Sequence, residues 1–323
     1  MNYNGGALLA QSLTALLAQD FTDFEAVLID NASTDDSISA LPETVTADPR
    51  LQIIRNVANR GFAAANNQAG LSATTDWIAC LNPDAVPNRD WLSQLLAATG
   101  AHPACDFFGS TQLSLSDPGI VDGLGDHLHA LGMPWRAGHG QKIAAPYPSG
   151  EVFGPCAAAA LYRAETFKKL NGFCESFFCY NEDVDLAYRH RLQGGTARQA
   201  GAAVVHHYGS FATGHRSDFC TYYGFRNMVW TYLRCTPAPL FALLLPLHFV
   251  ACSLMWAVAV GRGQGPIALQ AFTDAWLDWS QVRLQRKAIQ AEKTVGWRTI
   301  LKALAWSPQA VLKHQVRWLD RKG

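Results

Sequence analysis

The stretch 51–71, LQIIRNVANRGFAAANNQAGL, contains a complete transition from strand to helix. LQIIRN (51–56) is a short apolar run typical of a buried strand, and GFAAANNQAGL (61–71) has the composition of a helix that follows a polar turn. A strand followed at once by a helix is the unit of parallel sheets, because the helix carries the chain back across the sheet. The stretch therefore predicts an α/β architecture.

The same alternation continues on both sides of this stretch. Upstream lie a predicted helix at 7–18 (ALLAQSLTALLA) and a predicted buried strand at 25–30 (EAVLID). Downstream, WIACLNPD (77–84) is a predicted strand that stops at Asn-Pro-Asp, and NRDWLSQLLAATG (88–100) is the next predicted helix. Repeated units of this size predict a Rossmann-like, mostly parallel sheet flanked by helices.

The second part of the chain is less regular. Residues 111–150 are rich in Gly, Pro, Asp and His and show little periodicity, which predicts a long loop or insertion. The stretch 156–170 (CAAAALYRAETFKKL) predicts a strand that runs into a helix, and 197–207 (ARQAGAAVVHH) predicts a strand that ends in two histidines.

Polar residues follow the predicted strands where each strand ends. They are Asn2-Tyr3-Asn4, Asp30-Asn31 and Asn82-Pro83-Asp84. Parallel sheets bind ligands at the carboxyl ends of their strands, so we expect these three clusters to meet at one edge. Met1 stands almost at the end of the first strand, which favours a misassigned start or a truncated chain.

Composition and missing motifs narrow the class of protein. A formal net charge of zero argues against a nucleic-acid partner. Eight cysteines without a C-x-x-C pair or a zinc-like spacing favour a reducing compartment. The absence of G-x-G-x-x-G, G-K-[ST] and G-x-S-x-G argues against dinucleotide oxidoreductases, P-loop NTPases and α/β-hydrolases.

The C-terminal third has a membrane-like composition. Residues 238–260 carry no formally charged side chain and are long enough to span hydrocarbon, but two prolines favour an interrupted, re-entrant or interfacial segment. A buried helix or a dimer interface is the alternative. From Arg262 onward, 11 Lys and Arg stand against 4 Asp and Glu. We divide the chain into a catalytic domain (1–235), an apolar membrane-associated segment (236–262) and a basic helical tail (263–323).

Apolar side chains of the tail repeat at helical spacing between basic residues. They are Trp297, Ile300, Leu301 and Leu304 in one group and Leu312, Val316 and Leu319 in the other. Basic amphipathic helices of this kind bind anionic membrane surfaces. The alternative is that these helices pack on the body of the protein.

Three acids, Glu182, Asp183 and Asp185, are crowded into FFCYNEDVDLAYRHR (177–191). One interpretation is a helix start, with Asn181 as its N-cap, acids favoured by the helix dipole, and an Asp185–Arg189 pair at i, i+4. The other is a catalytic base. Asp84, after a proline at a strand end, suits a divalent cation that bridges phosphate oxygens, although Asn-Pro-Asp alone is typical of an ordinary turn.

Seven motifs occur together in the chain. They are NYNGG (2–6), VLIDNASTDDS (27–37), NRGFAAANN (59–67), LNPDA (81–85), GFCESFFCYNEDVDLAYR (172–189), HHYGS (206–210) and YYGFRN (222–227). In this order they resemble the inverting family 2 glycosyltransferases of the GT-A fold, and in particular rhamnosyltransferase-like members that build surface polysaccharides. The resemblance covers roughly residues 2–230.

The resemblance implies a nucleotide-sugar site. Tyr3 would lie against the base of the donor, Asp30 would bind the base or ribose, and Asn31 would shape the loop beside it. Arg60, Gly61 and Asn66 would lie near the nucleotide.

The resemblance also implies a metal site and a base. Asp84 matches the last acid of the family's D-x-D motif and would bind Mg²⁺ or Mn²⁺; the first acid is replaced by Asn82 in this chain. His206 would reach toward the metal or the diphosphate. Asp183 would be the general base that deprotonates the acceptor hydroxyl, and Glu182 would contact the acceptor or the sugar.

The resulting hypothesis is a glycosyltransferase at the cytoplasmic side of the inner membrane. It would move a sugar from a UDP or dTDP donor to a lipid-linked or glycan acceptor with inversion. Two alternatives stay open at this point. One is a sugar nucleotidyltransferase, although NYNGG carries no cation to bind phosphate. The other is a non-catalytic membrane-anchored binding or scaffold protein.

Overall fold

The structure is a computed structural model that describes residues 1–209 and 217–320. Ser210, the last residue of the HHYGS motif, and residues 321–323 of the basic tail lie outside the described residues. Within the described chain, an α/β body occupies the N-terminal two-thirds and a set of helices follows it.

The body contains the following elements in chain order: α1 (Gly6–Leu17), β1 (Ala26–Asp30), α2 (Glu43–Thr46), β2 (Leu51–Arg55), α3 (Gly61–Gly70), β3 (Trp77–Leu81), β4 (Ala85–Pro87), α4 (Trp91–Ala101), β5 (Phe107–Ser114), β6 (Val121–Gly123), β7 (Asp126–Leu128), β8 (Pro134–Arg136), β9 (Gly150–Val152), β10 (Ala159–Arg163), α5 (Ala164–Lys169), a 3₁₀ turn (Glu175–Phe177), α6 (Glu182–Leu192) and β11 (Ala197–His207). The helical part contains α7 (Asp218–Cys235), α8 (Ala238–Gly261), α9 (Gly265–Leu277), α10 (Trp279–Ala291), α11 (Trp297–Ala303) and α12 (Pro308–Leu312).

The main sheet is mixed, which corrects the expectation of a mostly parallel sheet. Its order is β3-β10-β5-β11-β4, with β6 beside β5 and β9 beside β11. Only β5 and β11 run parallel; β10 runs antiparallel to both β3 and β5. The chain between β5 and β10 contains short strands and no crossover helix, so β10 returns in the opposite direction. A separate parallel pair, β1 and β2, is extended by a bridge between Asn2 and Asp30.

Residues 111–150 are not a long loop, contrary to the prediction. They complete β5 and form β6, β7 and β8, and the strands β7 and β8 pair as a hairpin with Asp126 opposite Arg136. Each of these later strands has three residues, which is too short for an alternating pattern to be visible in the sequence.

The apolar segment forms one continuous 24-residue helix, α8, although Pro246 lies inside it. By length and composition, α8 is the one helix of the described residues that is able to cross a membrane. Its residues Leu240, Leu244, His248 and Cys252 are buried against the body. The ring of His248 stacks on Tyr232 with centroids 3.9 Å apart.

The tail packs onto the body, as the alternative interpretation proposed. Ile300 and Leu304 are buried in the same apolar core as Phe153 and Tyr188 of the body. The predicted helical repeat at 312–319 is wrong, because α12 ends at Leu312. After that point the amide of Leu319 donates to the carbonyl of Glu151, which ties the chain to the edge strand β9.

Candidate active site

The three polar clusters at the strand ends meet, as predicted. The Asn2 side chain donates to the Asp30 carboxylate at 3.3 Å. Gly5 lies so close to the third cluster that a Cβ placed on it would be 3.3 Å from Cβ of Pro83. The Ser12 hydroxyl donates to the carbonyl of Asn82 at 3.2 Å. The clusters therefore form one continuous polar edge.

Asn31 is fully buried and fixes the loop that carries the predicted nucleotide contacts. Its Nδ2 donates to Oδ1 of Asn59 at 2.8 Å and to the carbonyl of Gly61 at 3.2 Å. Its Oδ1 accepts from Nδ2 of Asn56 at 3.0 Å and from the Arg60 amide at 3.1 Å. With both ends of the amide engaged, Asn31 positions Arg60 and Gly61.

The other predicted donor-binding residues lie around this edge with different exposures. Tyr3 and Asn82 are half-buried, and the Asn66 side chain donates to the carbonyl of Phe62 within its own helix. Arg60 is about half exposed and lies 3.9 Å from the Glu175 carboxylate. It lines an open cavity of about 370 Å³ with Ala64, Asn67, Gln68, Leu71, Ser72 and Glu175.

Asp84 is buried beside His207, whose Nε2 lies 3.2 Å from the nearer carboxylate oxygen. The Nδ1 of His207 lies 2.8 Å from Asp122, and that carboxylate also accepts from Arg136 at 2.8 Å. Burial alone would lower the pKa of His207, but the hydrogen bond to Asp122 and the negative charges of Asp84 and Asp122 raise it to about 9. Arg136 and His207 together hold the pKa of Asp122 well below its usual range despite its burial.

His206 and His207 point to opposite faces of β11, since side chains alternate along a strand. His206 was the predicted metal contact. The structure instead turns its Nε2 to Oδ1 of Asn88, at 3.2 Å, and places His207 beside Asp84. A register shift between Ala200 and Val204 precedes the two histidines, so the face of each could not be read from the alternation alone.

One loop, residues 154–158, joins the strand-end cluster to the predicted base. The Ala157 amide donates to Oδ2 of Asp183 at 3.0 Å. The carbonyl of the next residue, Ala158, accepts from the Asn82 amide at 2.8 Å. Asp183 and Asn82 are thus bound to two consecutive residues, which brings the two predicted halves of the site together.

Asp183 has a second acid beside it. Oxygen atoms of Asp183 and Asp126 and the sulfur of Cys156 all lie within 4.8 Å of one another, which is close enough for the two carboxyl groups to share a proton. Burial and the charge on Asp183 raise the pKa of Asp126 well above its ordinary value. Burial also raises the pKa of the Cys156 thiol, which disfavours its thiolate form.

Glu182 is buried, and burial together with the charge on Asp183 raises its pKa well above the ordinary value. Its Oε2 has no hydrogen-bond partner among the described residues. The raised pKa favours the protonated form of Glu182, which can donate a hydrogen bond. Its predicted contact with acceptor or sugar stays a prediction.

The chain enters α6 through a strained turn. Phe178 has φ 65° and ψ −63°, and the Cys179 amide donates to the Phe177 carbonyl at 2.7 Å, which makes a γ-turn. Tyr180 and Asn181 also have positive φ. Asn181 was the predicted N-cap, but its side chain makes no cap hydrogen bond and donates instead to the Gly224 carbonyl of α7.

Asn227 of α7 holds this turn in place. Its Nδ2 donates to the carbonyls of Phe177, Cys179 and Tyr180 at 2.9, 2.8 and 2.8 Å. The neighbouring Arg226 donates to the Phe177 carbonyl at 3.1 Å. The YYGFRN motif therefore contributes the clamp on the strained turn.

The predicted donor residue Gly61 packs on the same turn. A Cβ at Gly61 would lie 2.5 Å from the carbonyl oxygen of Phe178, and the Gly61 φ of +81° is unfavourable for other residues. The Phe178 ring stacks on Tyr223, with centroids 5.2 Å apart. These contacts join the nucleotide loop to the start of α6.

Five residues that build the site were not predicted from the sequence: Asn67, Asp122, Asp126, Arg136 and Asn227. Asn67 exchanges hydrogen bonds with the backbone of Phe173 at 2.8 Å in both directions, so it links α3 to the segment before the base. Asp122 and Asp126 could have been noticed in the stretch VDGLGD (121–126), which places two acids close together in a region predicted to be a loop.

The site matches the arrangement predicted for a glycosyltransferase of GT-A architecture, with a polar edge at strand ends, a buried acid after one of these strands and a half-buried carboxylate at a helix start. The family model described as "Glycosyl transferase family 2" matches residues 1–170, more than half of the 323-residue chain. The chain therefore belongs to glycosyl transferase family 2 and is a glycosyltransferase. This confirms the resemblance predicted from the motifs.

Curated relatives agree with this assignment. The chain is 28% identical over 242 residues to the N-acetylglucosaminyl-diphospho-decaprenol L-rhamnosyltransferase of Mycobacterium tuberculosis, covering 66% of this chain and 76% of the relative. It is 24% identical to the putative glycosyltransferase EpsE of Bacillus subtilis, covering 59% of this chain and 65% of the relative.

Solved structures share the fold. The mannosyltransferase PcManGT from Pyrobaculum calidifontis, in complex with GDP-Man and Mn²⁺, aligns with a TM-score of 0.53 at 19% identity, covering 94% of this chain and 84% of that one. S. aureus TarS 1–349 in complex with UDP aligns with a TM-score of 0.55 at 17% identity, covering 97% and 90%. At these identities the likeness establishes the GT-A fold, as predicted.

Proposed function

We propose that this glycosyltransferase moves a sugar from a UDP or dTDP donor to a lipid-linked or polysaccharide acceptor, with inversion, in cell-surface polysaccharide biosynthesis. The observation that carries the proposal is the loop 154–158, because it binds Asp183 and Asn82 through consecutive residues. The rhamnosyltransferase relative, whose name specifies a diphospho-decaprenol acceptor, supports rhamnose and a lipid-linked acceptor.

Asp183 acts as the general base. It takes the proton of the acceptor hydroxyl while the acceptor oxygen forms its bond to the anomeric carbon. The bond from that carbon to the diphosphate breaks on the opposite face, and its electron pair leaves with the diphosphate. Attack opposite the leaving group inverts the anomeric centre without a covalent sugar–enzyme intermediate.

Asp84 fits a site for Mg²⁺ or Mn²⁺, and His207 would join it in its neutral form, with the cation taking the place of the proton that Asp84 and Asp122 otherwise favour. The Nδ1 of His207 is held by Asp122 while its Nε2 faces Asp84, and this carboxylate–histidine arrangement is the usual support of a metal-binding imidazole. Asp84 supplies the carboxylate oxygen that these cations prefer. A bound divalent cation would offset the charge that develops on the departing diphosphate.

The donor side is positioned by amides. Asn2 orients the Asp30 carboxylate toward base or ribose, and Asn31 fixes Arg60 and Gly61 next to the nucleotide. Tyr3 lies at the same edge for contact with the base. Asn66 and Asn82 complete the donor-binding set.

The α8 helix lies along the membrane surface on the cytoplasmic side of the inner membrane and does not span the bilayer. Its body-facing side is buried, whereas Leu243, Leu247, Val250, Leu254 and Val258 form an exposed apolar stripe on the opposite side. Side chains at this spacing share one helix face. The body covers the other side of α8, so the exposed apolar stripe is the part of the helix that is free to contact lipid. The basic residues of the segment after α8 favour anionic lipid.

Vesicle binding tests this placement. Wild type should co-sediment with phosphatidylglycerol vesicles and be released by alkaline carbonate, as a surface-bound protein is. Leu247→Glu should lose vesicle binding, whereas Val57→Glu, which changes an exposed apolar residue away from the stripe, should keep it. Equal binding by both variants, or resistance to carbonate, would contradict the placement.

The catalytic proposal is tested by a donor screen. Purified protein is incubated with UDP-, dTDP- and GDP-sugars, Mg²⁺ or Mn²⁺, and a polyprenyl-diphospho-N-acetylglucosamine acceptor, and NMR of the product reports the anomeric configuration. We expect transfer with inversion, strong loss in Asp84→Asn and full activity in Asp106→Asn, whose ion pair with Arg163 lies away from the site. Absence of transfer from every donor, or retention of the anomeric configuration, would contradict the proposal.

A further inference from the structure

The hairpin of β7 and β8 places the carboxyl of Asp126 beside Asp183, the proposed base. Asp126 is 7% exposed and its backbone is bound to Gly154 in both directions, at 2.8 and 3.2 Å. Gly154 begins the loop whose Ala157 amide binds Asp183, so the two acids are mounted on the same short segment. The position of Asp126 is therefore set by backbone contacts and not by a mobile side chain.

Two carboxyl groups in contact cannot both be ionised at neutral pH without a large electrostatic cost, so the pair holds a proton. Asp183 accepts two backbone amides, from Ala157 at 3.0 Å and from Val184 at 2.8 Å, and these stabilise its anion. Asp126 is buried and faces that anion. The proton therefore belongs on Asp126.

Other charged groups around Asp126 act in both directions. Arg136, opposite it in the hairpin, favours the Asp126 anion, whereas Asp122 and Asp183 oppose it. Arg136 is committed to Asp122 through a 2.8 Å ion pair. The buried thiol of Cys156 stays protonated, and the cationic Arg136 is nearby. Together these features favour a shared proton over a metal ion among Asp126, Cys156 and Asp183.

This inference rests on the proposed function. We propose that Asp126 is a positioning residue for the base. Its neutral carboxyl donates a hydrogen bond to Asp183 and holds that carboxylate toward the acceptor hydroxyl. During transfer, the acceptor proton moves to Asp183 while Asp126 keeps its own. The pair then carries two protons, and release of one to solvent restores the starting state. Asp126 touches neither donor nor acceptor in this scheme.

Two substitutions separate the hydrogen bond from the charge. Asp126→Asn keeps a neutral donor of similar shape and should retain most of the wild-type kcat. Asp126→Ala removes the donor and should lower kcat about 10- to 100-fold with the donor KM unchanged, because the base is no longer held in line. Asp106→Asn is the matched control for loss of an acid, and circular dichroism with thermal unfolding confirms that each variant is folded.

The pH profile gives a readout that a structural role would not change. Wild-type kcat should fall on the alkaline side as Asp126 ionises and the two carboxylates repel, and Asp126→Asn should lack this fall. An Asn variant as inactive as the Ala variant would overturn the proposal, since Asp126 would then be needed as an anion. Full activity in Asp126→Ala would overturn it as well.

Infrared difference spectroscopy tests the proton without turnover. The wild type minus Asp126→Asn spectrum at neutral pH should contain the carbonyl band of a protonated carboxylic acid, and the wild type minus Asp106→Asn spectrum should not. Absence of that band would overturn the inference even if sugar transfer is normal. A band together with no transfer from any donor would support the protonated Asp126 and contradict the proposed function instead.

Discussion

Helix α6 carries two aspartates, Asp183 and Asp185, whose surroundings differ. We call the surroundings of Asp185 the ion-paired region and those of Asp183 the base region. Asp185 has no exposed surface and is bound by Arg189 at 2.7 Å and Arg234 at 2.9 Å. Asp183 is half-buried and is bound by backbone amides and by the carboxyl of Asp126. None of the ion pairs between residues in 1–209 and 217–320 involves Asp183.

This difference separates structural from catalytic acids. Two arginines neutralise Asp185 and outweigh the effect of its burial, so its pKa is lowered and it remains a poor base. The comparison teaches that acids two positions apart on one helix are distinguished by their partners, and each region can be perturbed separately.

The largest expected change in stability comes from the ion-paired region. Asp185→Asn leaves two buried guanidinium groups without their anion and should lower the free energy of unfolding by about 3–5 kcal/mol. Denaturant unfolding checks this value. The kcat of the remaining folded fraction should stay near wild type.

Asp183→Asn is the control for that experiment. It removes an acid from the same helix without breaking an ion pair and should change the free energy of unfolding by less than about 1 kcal/mol. If both substitutions destabilise the fold equally, the distinction between the two regions fails.

Acid should destabilise the ion-paired side of α6 in two stages. Burial, partly offset by Asp106, lowers the pKa of His190 to about 4, so the folded state binds its proton less readily than the unfolded state does. The stability that His190 contributes should fall as the pH drops below about 6.5, by about 1.4 kcal/mol for each pH unit, until the folded pKa is reached. The raised pKa values of the buried acids Asp126 and Glu182 act in the opposite direction, so this contribution is measured against a His190 variant. The depressed pKa of Asp185 means that its contribution is lost at still lower pH.

Unfolding free energies measured from pH 7 downward test this sign. His190→Gln should flatten the first part of the decline. An equal change of stability between pH 7 and pH 5 in wild type and His190→Gln would show that His190 is not buried as the structure places it.

The turn that presents Asp183 should be sensitive to its clamp. Asn227→Ala removes the side-chain donor from the carbonyls of Cys179 and Tyr180 and one of the donors to Phe177, which should cost about 1–3 kcal/mol and lower kcat through misplacement of the base. Gln290→Ala removes an amide that also donates to backbone carbonyls, of Arg234 and Cys235, away from the turn. It should lower stability by a smaller amount without changing kcat. Equal kcat in both variants would argue against strain at this turn having a catalytic role.

The sequence allowed the element order and the main acids to be predicted because these depend on local patterns. The strands at 26–30, 51–55 and 77–81 lie within the predicted ranges, and Asp84 and Asp183 could be named from their motifs. Neither required knowledge of which distant segments meet.

Asp126, Asp122 and Asn227 could not be found in the same way. Each acts through a partner far along the chain, and the three-residue strands that carry the two acids are too short to show a period. The choice between His206 and His207 depended on the face of a strand whose register shifts before it reaches them. Tertiary contacts decided these positions.

The comparison between the two aspartates is tested most directly by the rate of sugar transfer in Asp183→Asn. The substitution keeps the shape of the side chain and removes its ability to accept a proton. We predict a loss of about 10²- to 10⁴-fold in kcat, with nucleotide-sugar binding and the unfolding free energy close to wild type. A variant that transfers sugar within a few-fold of the wild-type rate would contradict the assignment of Asp183 as the base.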